Sequence, residues 1–317
     1  MAYKYDSMDP FSSKGAGWGY WKIDFNYQGG DFRSASECLP PESIKDMSAT
    51  YFLNGCNPET YFQPGKEPEG FKFFWADNSM MPWLRYVSPA NKNGHKLWSR
   101  VTYCTWGMNP KSPVDINHRN RVNNKLKKES DGVINDISDL WGGVTQGTVK
   151  PKKWKALVVP SSEKNHNYVY NETSGSWLDK VTSQLKKMGI SYVVRNKVLD
   201  PSQRVYNQVS DQYVQEKCDL MITQHSAASS EVVVLGAPIV TTSVHNPARD
   251  VSTKWEDFVN GELKIYDKKE IEDWVTRICG YTYYRDEINT LKFINYHPDV
   301  KMMLQHHHDV GELSIKL

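Results

Sequence analysis

Apolar and polar positions alternate with the most regular periods in the second half of the chain. Short apolar runs predict buried strands at 154–160, 190–194, 220–222, 239–240 and 264–266. Between them, helical patterns predict helices at 176–188, 206–216, 228–235 and 269–278. Strands that alternate with helices are typical of a parallel, doubly wound sheet. We therefore expect an α/β fold for this half.

The first half is less regular and is rich in glycine, proline, asparagine and aromatic residues. Its patterns predict strands at 72–76, 98–105 and 132–137 and a polar helix at 116–128. The segment 142–153 is polar and contains several glycines, which is typical of a linker. We place the boundary there, with one domain at 1–150, a second at 151–285 and a C-terminal tail at 286–317.

Composition indicates a soluble globular protein, with 39% hydrophobic and 24% charged residues among 317. No apolar run approaches the roughly 20 residues that span a bilayer. The N-terminal residues lack the apolar core of a signal peptide. The five cysteines are scattered without CxxC spacing, which is typical of reduced cytosolic thiols. We therefore expect a cytoplasmic protein without a membrane span.

Polar side chains follow the predicted strand at 220–222 and run into the next predicted helix. They are Gln224, His225, Ser226, Ser229, Ser230 and Glu231. Ser226 is suited to cap the helix, whose amides and neighbouring hydroxyls form an anion site at the carboxyl end of a strand. Glu231 is suited to accept from ribose hydroxyls. We expect a nucleotide or phosphorylated ligand; the alternative is a capped core helix with a solvent-facing glutamate.

Cations and hydroxyls follow two other predicted strands. Arg195 and Lys197 come just after the strand at 190–194, and Ser161 and Ser162 come after the strand at 154–160. The carboxyl ends of parallel strands meet at one edge, so we expect these groups to contact phosphate in the same crevice. The alternatives are an exposed loop and a simple helix cap. The chain has no GxxxxGK[ST] loop and no GxGxxG at the matching turn, which argues against a P-loop kinase and a standard dinucleotide dehydrogenase.

The first half contains a candidate base and candidate contacts for a second substrate. Asp77 ends an apolar strand beside aromatic residues, where a carboxylate can act as a general base or merely turn the chain. The candidate acceptor contacts are Gly17, Trp18, Gly19, Tyr20, Arg119 and Arg121. The glycines permit close backbone approach, the aromatic rings can stack on a ring, and the arginines belong to the basic segment 118–128. The alternatives are a flexible loop and a solvated surface.

Three consecutive histidines at 306–308 precede Asp309 and invite a metal-binding interpretation. Neighbouring residues on a helix point in different directions, so these three rings do not converge on one ion. We predict no metal site here.

The segment QHSAASSEVVVLGAPIVTT resembles the donor-binding turn and helix of GT-B glycosyltransferases. This resemblance implies two Rossmann-like domains facing a central cleft, with the sugar nucleotide in the more regular C-terminal domain and the tail packed back on the first domain. FFWADNSMMPW and LKIYDKKEIEDWVTRI resemble segments of phage DNA glycosyltransferases that modify 5-hydroxymethylcytosine. By that second resemblance Asp77 is the catalytic base, Glu231 the ribose-binding acid and Arg195 a diphosphate contact.

These observations predict an enzyme that transfers a hexosyl or pentosyl group from a nucleoside-diphosphate sugar, such as a UDP-sugar, to a hydroxyl. No tightly bound cofactor is expected, and a divalent metal can assist but is not required. The expected acceptor is a hydroxymethylated pyrimidine in double-stranded phage DNA, and the expected state is a monomer. The alternatives are a glycan or small-molecule acceptor, or a non-catalytic protein that binds nucleotides or nucleic acids.

Overall fold

The computed structural model describes residues 19–23, 50–54, 70–85, 98–104, 107–143, 153–195, 208–289 and 292–309. These residues form two compact units. The first unit takes the described residues up to Ser79, those of Leu84–Gly132 and those from Arg277 onward, and the second takes Met80–Trp83 and Val133–Thr276. These divisions differ from the predicted boundaries at 150 and 285, because residues 133–143 pack with the second unit and residues 277–285 with the first.

The first unit is built on a mixed sheet, with elements numbered in chain order. Its strands are β1 (Gly19–Ile23), β2 (Thr50–Asn54), β3 (Lys72–Asn78), β4 (Trp98–Tyr103) and β10 (Thr282–Tyr284), in the spatial order β1-β2-β3-β4-β10. Only the β2–β3 pair is parallel among these described strands. The helices are α1 (Ile116–Glu129), α8 (Arg285–Asn289) and α9 (Val300–Asp309). The GT-B resemblance implies a Rossmann-like sheet here, and the mixed sheet departs from that expectation.

The second unit is built on a parallel sheet. Its strands are β5 (Lys155–Val159), β6 (Ser191–Val194), β7 (Leu220–Thr223), β8 (Ile239–Thr241) and β9 (Thr253–Lys254). Their spatial order is β6-β5-β7-β8-β9, and all four neighbouring pairs are parallel. The predicted α/β alternation of this half is therefore confirmed.

Along the chain, the α-helices of this unit lie between its first four strands and after its last strand. They are α2 (Glu163–Tyr170), α3 (Ser174–Lys187), α4 (Gln208–Gln215), α5 (Ser229–Val233), α6 (Trp255–Val259) and α7 (Lys268–Gly280), the last of which ends in the first unit. Single-turn 3₁₀ helices occupy Pro82–Arg85, Ile137–Leu140, Arg249–Val251 and Lys292–Tyr296. Throughout the described ranges, no helix is both long and apolar enough to cross a membrane.

Helix α3 shows how the sequence directs local structure. The Thr173 hydroxyl accepts a hydrogen bond from the Ser176 amide and so caps the first turn. The helical stripe of Trp177, Val181 and Leu185 is buried against the sheet. Gly189 then adopts a positive φ of 69°, which lets the chain reverse direction into β6.

Two predicted strands are absent from their expected places. The prediction at 132–137 is wrong, because Asp136 and Asp139 form a capping box that starts the 3₁₀ helix Ile137–Leu140. The prediction at 264–266 is also wrong. There the Lys264 amide donates to the Thr253 hydroxyl, and the Tyr266 hydroxyl donates to the Ser252 carbonyl, so side chains replace a strand ladder.

The core of the first unit is aromatic and joins segments that are distant in sequence. Phe74 of β3 packs against Tyr103 of β4 and Phe293, with ring centroids 4.9 and 5.2 Å away. His297 lies in the same core, and its Nε2 donates to the Val101 carbonyl at 3.0 Å, while its Nδ1 accepts from the Asp299 amide at 3.1 Å. Burial lowers the pKa of His297 to about 4, so the folded unit holds this ring in its neutral form.

We predict that this buried histidine makes the first unit less stable in mild acid. The folded pKa lies below the unfolded value, so the stabilisation is present above the unfolded pKa of 6.5 and is lost as the pH falls towards about 4. The fall amounts to roughly 3 kcal/mol in the free energy of unfolding. Urea titrations at several pH values check this, and His297→Asn should show a shallower pH dependence. Equal pH dependence in both proteins would contradict the assignment.

Candidate functional site

The carboxyl edge of the parallel sheet in the second unit is the place where its connections diverge. From the central strand β5 the chain goes to β6 on one side, and it then returns to β7 on the other side. In open parallel sheets such a switch point leaves a crevice beyond the strand ends, where ligands bind. The polar residues predicted from sequence follow these strands, so the sheet brings most of them to one edge.

A side chain ties the turns after β5 and β7 together. The Ser161 hydroxyl accepts a hydrogen bond of 2.9 Å from the backbone amide of His225, and both residues are buried. Two residues earlier on each segment, at the ends of the strands, the Thr223 hydroxyl donates to the Val159 carbonyl at 2.8 Å. These bonds fix where Gln224 and His225 stand relative to β5.

Asn246, which follows β8, fixes the same turn from the other side. Its side-chain amide donates to the Gln224 carbonyl at 3.1 Å, and its Oδ1 accepts from the Ser229 hydroxyl at 3.0 Å. The Ser229 hydroxyl shares its single proton between this Oδ1 and the Ser226 carbonyl at 2.9 Å, and the Ser226 hydroxyl accepts from the Ala228 amide at 3.3 Å. Ser226 therefore braces the turn, and α5 begins three residues later than its predicted cap.

The short helix after this turn is buried rather than open to a ligand. Helix α5 has five residues, Ser229–Val233, and all of them are buried. The Ser230 hydroxyl donates to the Met80 carbonyl at 2.8 Å. One Glu231 oxygen accepts from the amides of Val209 and Ser210, at 3.2 and 3.3 Å, at the start of α4. Ser229, Ser230 and Glu231 thus form bonds inside the fold, and their predicted donor contacts stay predictions.

Among the other predicted donor contacts, Ser162 stabilises a helix, whereas Arg195 remains a candidate for ligand binding. Ser162 caps α2 by accepting from the Asn165 amide at 3.2 Å, which matches the alternative of a simple helix cap. Arg195 follows β6 and is half-buried, and its backbone amide donates to the Val158 carbonyl at 2.9 Å. Burial lowers the pKa of Arg195, while the negative charge of Glu231 raises it, so the two side chains interact. Lys197 lies outside the described residues.

Gln224 is held in one orientation by an acidic neighbour. Its Nε2 donates to one Glu172 oxygen at 2.7 Å, and Lys180 donates to the other at 2.9 Å. Burial raises the pKa of Glu172, but the hydrogen bonds from Lys180 and Gln224 outweigh it, and the net pKa is lowered. An ionised carboxylate only accepts hydrogen bonds, so it directs the amide nitrogen of Gln224 towards itself and the carbonyl oxygen away.

His225 stands beside residues that the sequence analysis did not identify. Its Nδ1 is 3.0 Å from the Tyr170 hydroxyl, which in turn is 2.5 Å from the Ser243 hydroxyl. Ser243 follows β8 as His225 follows β7, so the rule of polar residues after parallel strands could have found it. Tyr170 is the last residue of α2, and no sequence pattern around it predicts that it contacts His225 and Ser243.

Asp77 belongs to the first unit and lies within β3 rather than after its end. It stands opposite Arg100 of β4 in the strand register, and the two side chains form an ion pair of 3.3 Å. The Arg100 guanidinium is stacked on the Trp75 ring, 4.8 Å from its centroid. The Asp77 side chain keeps 25% of its surface exposed, so this carboxylate remains accessible to a substrate.

Arg121, a predicted acceptor contact, forms hydrogen bonds inside the first unit. Its Nη1 donates to both oxygens of Glu287 at 2.8 and 2.9 Å, and its Nη2 donates to the carbonyls of Cys279 and Thr282. The guanidinium is also stacked on Tyr283, 4.7 Å from its ring centroid. Both terminal nitrogens are thus engaged inside the first unit, and the predicted acceptor contact of Arg121 stays a prediction.

The remaining predicted acceptor contacts are placed only in part. Arg119 is a half-buried residue of α1. Gly19 and Tyr20 begin β1 and pair with β2, whereas Gly17 and Trp18 lie outside the described residues. Over the described ranges, no group of three histidine, cysteine, aspartate or glutamate side chains is arranged to hold a metal ion.

Comparisons with known proteins give two distant structural neighbours. One is the β-Kdo 2,7 transferase of Thermosulfurimonas dismutans KpsC, with 9% identity and a TM-score of 0.36 over 72% of this chain and 79% of that one. The other is the β-Kdo 2,4 transferase of the same protein, with 12% identity and a TM-score of 0.37 over 74% and 80%. No protein-family model and no curated protein sequence matches the chain.

We predict that Arg121→Ala destabilises the protein by roughly 3–5 kcal/mol, because it leaves the buried Glu287 carboxylate without its cation. Urea unfolding measures the change. The control is Lys127→Ala on the same helix, an exposed residue whose loss should cost less than about 0.5 kcal/mol. Equal stability of the two variants would contradict a structural role for Arg121.

Proposed function

We propose that this protein is a glycosyltransferase that binds a nucleoside-diphosphate sugar at the carboxyl edge of the sheet in the second unit. The proposal rests on one observation: polar residues follow three neighbouring strands and meet at the switch point of the sheet. Ser161 follows β5, Arg195 follows β6, and Gln224 and His225 follow β7. A cation, a directed amide and an imidazole at a parallel-sheet crevice suit a ligand that combines phosphate with hydrogen-bonding groups.

The proposed chemistry is direct transfer to an acceptor hydroxyl. The acceptor oxygen forms a bond to the anomeric carbon as the bond from that carbon to the diphosphate oxygen breaks. The acceptor proton passes to Asp77, and the electron pair of the broken bond leaves with the diphosphate. Arg195 and His225, with Lys197 as a further proposed cation, stabilise the charge that develops on the leaving group.

We also propose a specific acceptor and a specific donor for this reaction. We retain a hydroxymethylated pyrimidine in double-stranded DNA as the acceptor, since α1 carries the exposed cations Lys127 and Lys128. The internal engagement of Arg121 removes one expected phosphate contact and favours the alternative of a glycan or small-molecule hydroxyl. A UDP-sugar is the proposed donor, used without a tightly bound cofactor and with any divalent metal in an assisting role.

We predict that Arg195→Ala weakens UDP binding by about tenfold to a hundredfold, the effect of losing a hydrogen bond between charged groups. Isothermal titration calorimetry measures the dissociation constant. Lys187→Ala, which removes an exposed cation at the end of α3, is the matched control and should bind as the unaltered protein does. Equal affinity of both variants would exclude Arg195 from the donor site.

We predict that Asp77→Asn lowers turnover by about a hundredfold or more while UDP binding is unchanged, because general-base catalysis contributes that much. Asp131→Asn, an exposed residue of the same unit, is the control. Turnover is measured by mass spectrometry of products from a panel of sugar nucleotides, with hydroxymethylated DNA or with glycans.

The outcomes of this panel separate the competing functions. Sugar on the pyrimidine supports the DNA acceptor, and sugar on a glycan supports the alternative. Binding of a sugar nucleotide without turnover in any mixture would identify a non-catalytic binding protein. Equal turnover of Asp77→Asn and the unaltered protein would remove Asp77 from the mechanism.

A further inference from the structure

A chain of hydrogen-bonding groups runs along the carboxyl edge of the second unit. It joins His225 after β7, Tyr170 at the end of α2 and Ser243 after β8. The Tyr170 hydroxyl is at its centre, 3.0 Å from His225 Nδ1 and 2.5 Å from Ser243 Oγ. The proposed function gives His225 a ligand contact but assigns no role to Tyr170 or Ser243.

The direction of these bonds follows from counting protons. The Ser243 oxygen accepts a hydrogen bond of 3.0 Å from the backbone amide of His245, since an amide can only donate. The Tyr170 hydroxyl has one proton, so it can donate to only one of these two neighbours. A neutral imidazole carries its proton on Nδ1 or on Nε2, and its other nitrogen accepts.

Two arrangements use the Tyr170 proton within this chain of groups. In the first, Ser243 donates to Tyr170 and Tyr170 donates to His225 Nδ1, so the imidazole proton is on Nε2. In the second, Nδ1–H donates to Tyr170, and Tyr170 donates to a Ser243 oxygen that already accepts from His245. The first arrangement pairs the more acidic hydroxyl, the phenol, with the more basic acceptor, the imidazole nitrogen. In this arrangement the Ser243 hydroxyl also uses its own proton to donate to Tyr170.

We infer that Tyr170, supported by Ser243, holds neutral His225 in the Nε2–H tautomer. Nδ1 is committed as an acceptor, so the ring donates through Nε2. Tyr170 and Ser243 are thus positioning residues that act through His225. Where this inference rests on the proposed function, the Nε2 proton is donated to an oxygen of the donor diphosphate, and the diphosphate oxygens, which are acceptors only, match it.

The tautomer is measured directly by long-range ¹H–¹⁵N correlation spectra of the full chain, at a pH where the ring is neutral. His225→Asn assigns the His225 signals among those of the nine histidines. We expect Nδ1 at the position of an unprotonated ring nitrogen and Nε2 at that of a protonated one. The reverse pattern in the unaltered protein would overturn the inference.

Tyr170→Phe tests the positioning role with the ring volume kept. We expect the fixed tautomer to be lost, with both nitrogens moving towards averaged positions, and UDP binding to weaken about three- to tenfold, the effect of one hydrogen bond. Ser243→Ala should give a smaller shift in the same direction. Tyr213→Phe is the matched control, since this buried hydroxyl makes no hydrogen bond in the part of the chain that the structure describes.

The outcomes distinguish this inference from the proposed function. If UDP does not bind the unaltered protein, the donor site is wrong, but the Nε2–H pattern would still confirm the tautomer. An unchanged tautomer in Tyr170→Phe would remove Tyr170 as its cause. If Tyr170→Phe does not fold, the spectrum of the unaltered protein and the shift in Ser243→Ala decide the question.

Discussion

The hydrogen bond from the His225 amide to the Ser161 hydroxyl is the constraint on which the carboxyl edge of the second unit depends. A backbone amide just past the end of a buried strand needs an acceptor, and the next turn along the sheet supplies one through a side chain. This bond sets the spacing of the turns after β5 and β7. The imidazole of His225 then reaches Tyr170, and the neighbouring Gln224 reaches Glu172. The candidate site is therefore a consequence of how two turns are braced.

The polar run after β7 serves the fold more than its composition suggests. Ser229 and Ser230 are fully buried, and their hydroxyls bond to a turn carbonyl, an asparagine and a distant carbonyl. A buried hydroxyl without a partner costs about 1–3 kcal/mol, so each serine needs the internal acceptor that it has. A serine-rich turn can thus indicate either a phosphate site or a densely braced turn. Burial decides between them, and burial of polar residues cannot be deduced from the local sequence.

The periods of apolar residues allowed the second unit to be predicted in outline. The stripe of α3 and the apolar runs of β5 and β7 lie where the sequence places them, because each pattern records which face is buried. Partners that are distant in sequence were not predictable in this way. β10 pairs with β4 across the register Thr282↔Arg100, and Arg121 bonds to Glu287. A period specifies that a residue is buried, but it carries no information on what that residue contacts.

The contacts of charged residues were equally hard to predict from sequence. Arg195 and Arg121 are an example, because their surroundings in the structure differ. Both arginines looked like anion contacts in the sequence, but both terminal nitrogens of Arg121 donate to Glu287 or to carbonyls, whereas Arg195 is affected by the negative charge of Glu231. Glu231 also accepts two amides at the start of α4, so Arg195 is not the only group that stabilises its charge. Removing Arg195 from its carboxylate therefore does not leave a bare buried charge, which is the arrangement that would cost several kcal/mol. In the proposed donor site, Arg195 would therefore contact an anionic ligand without leaving Glu231 unpaired.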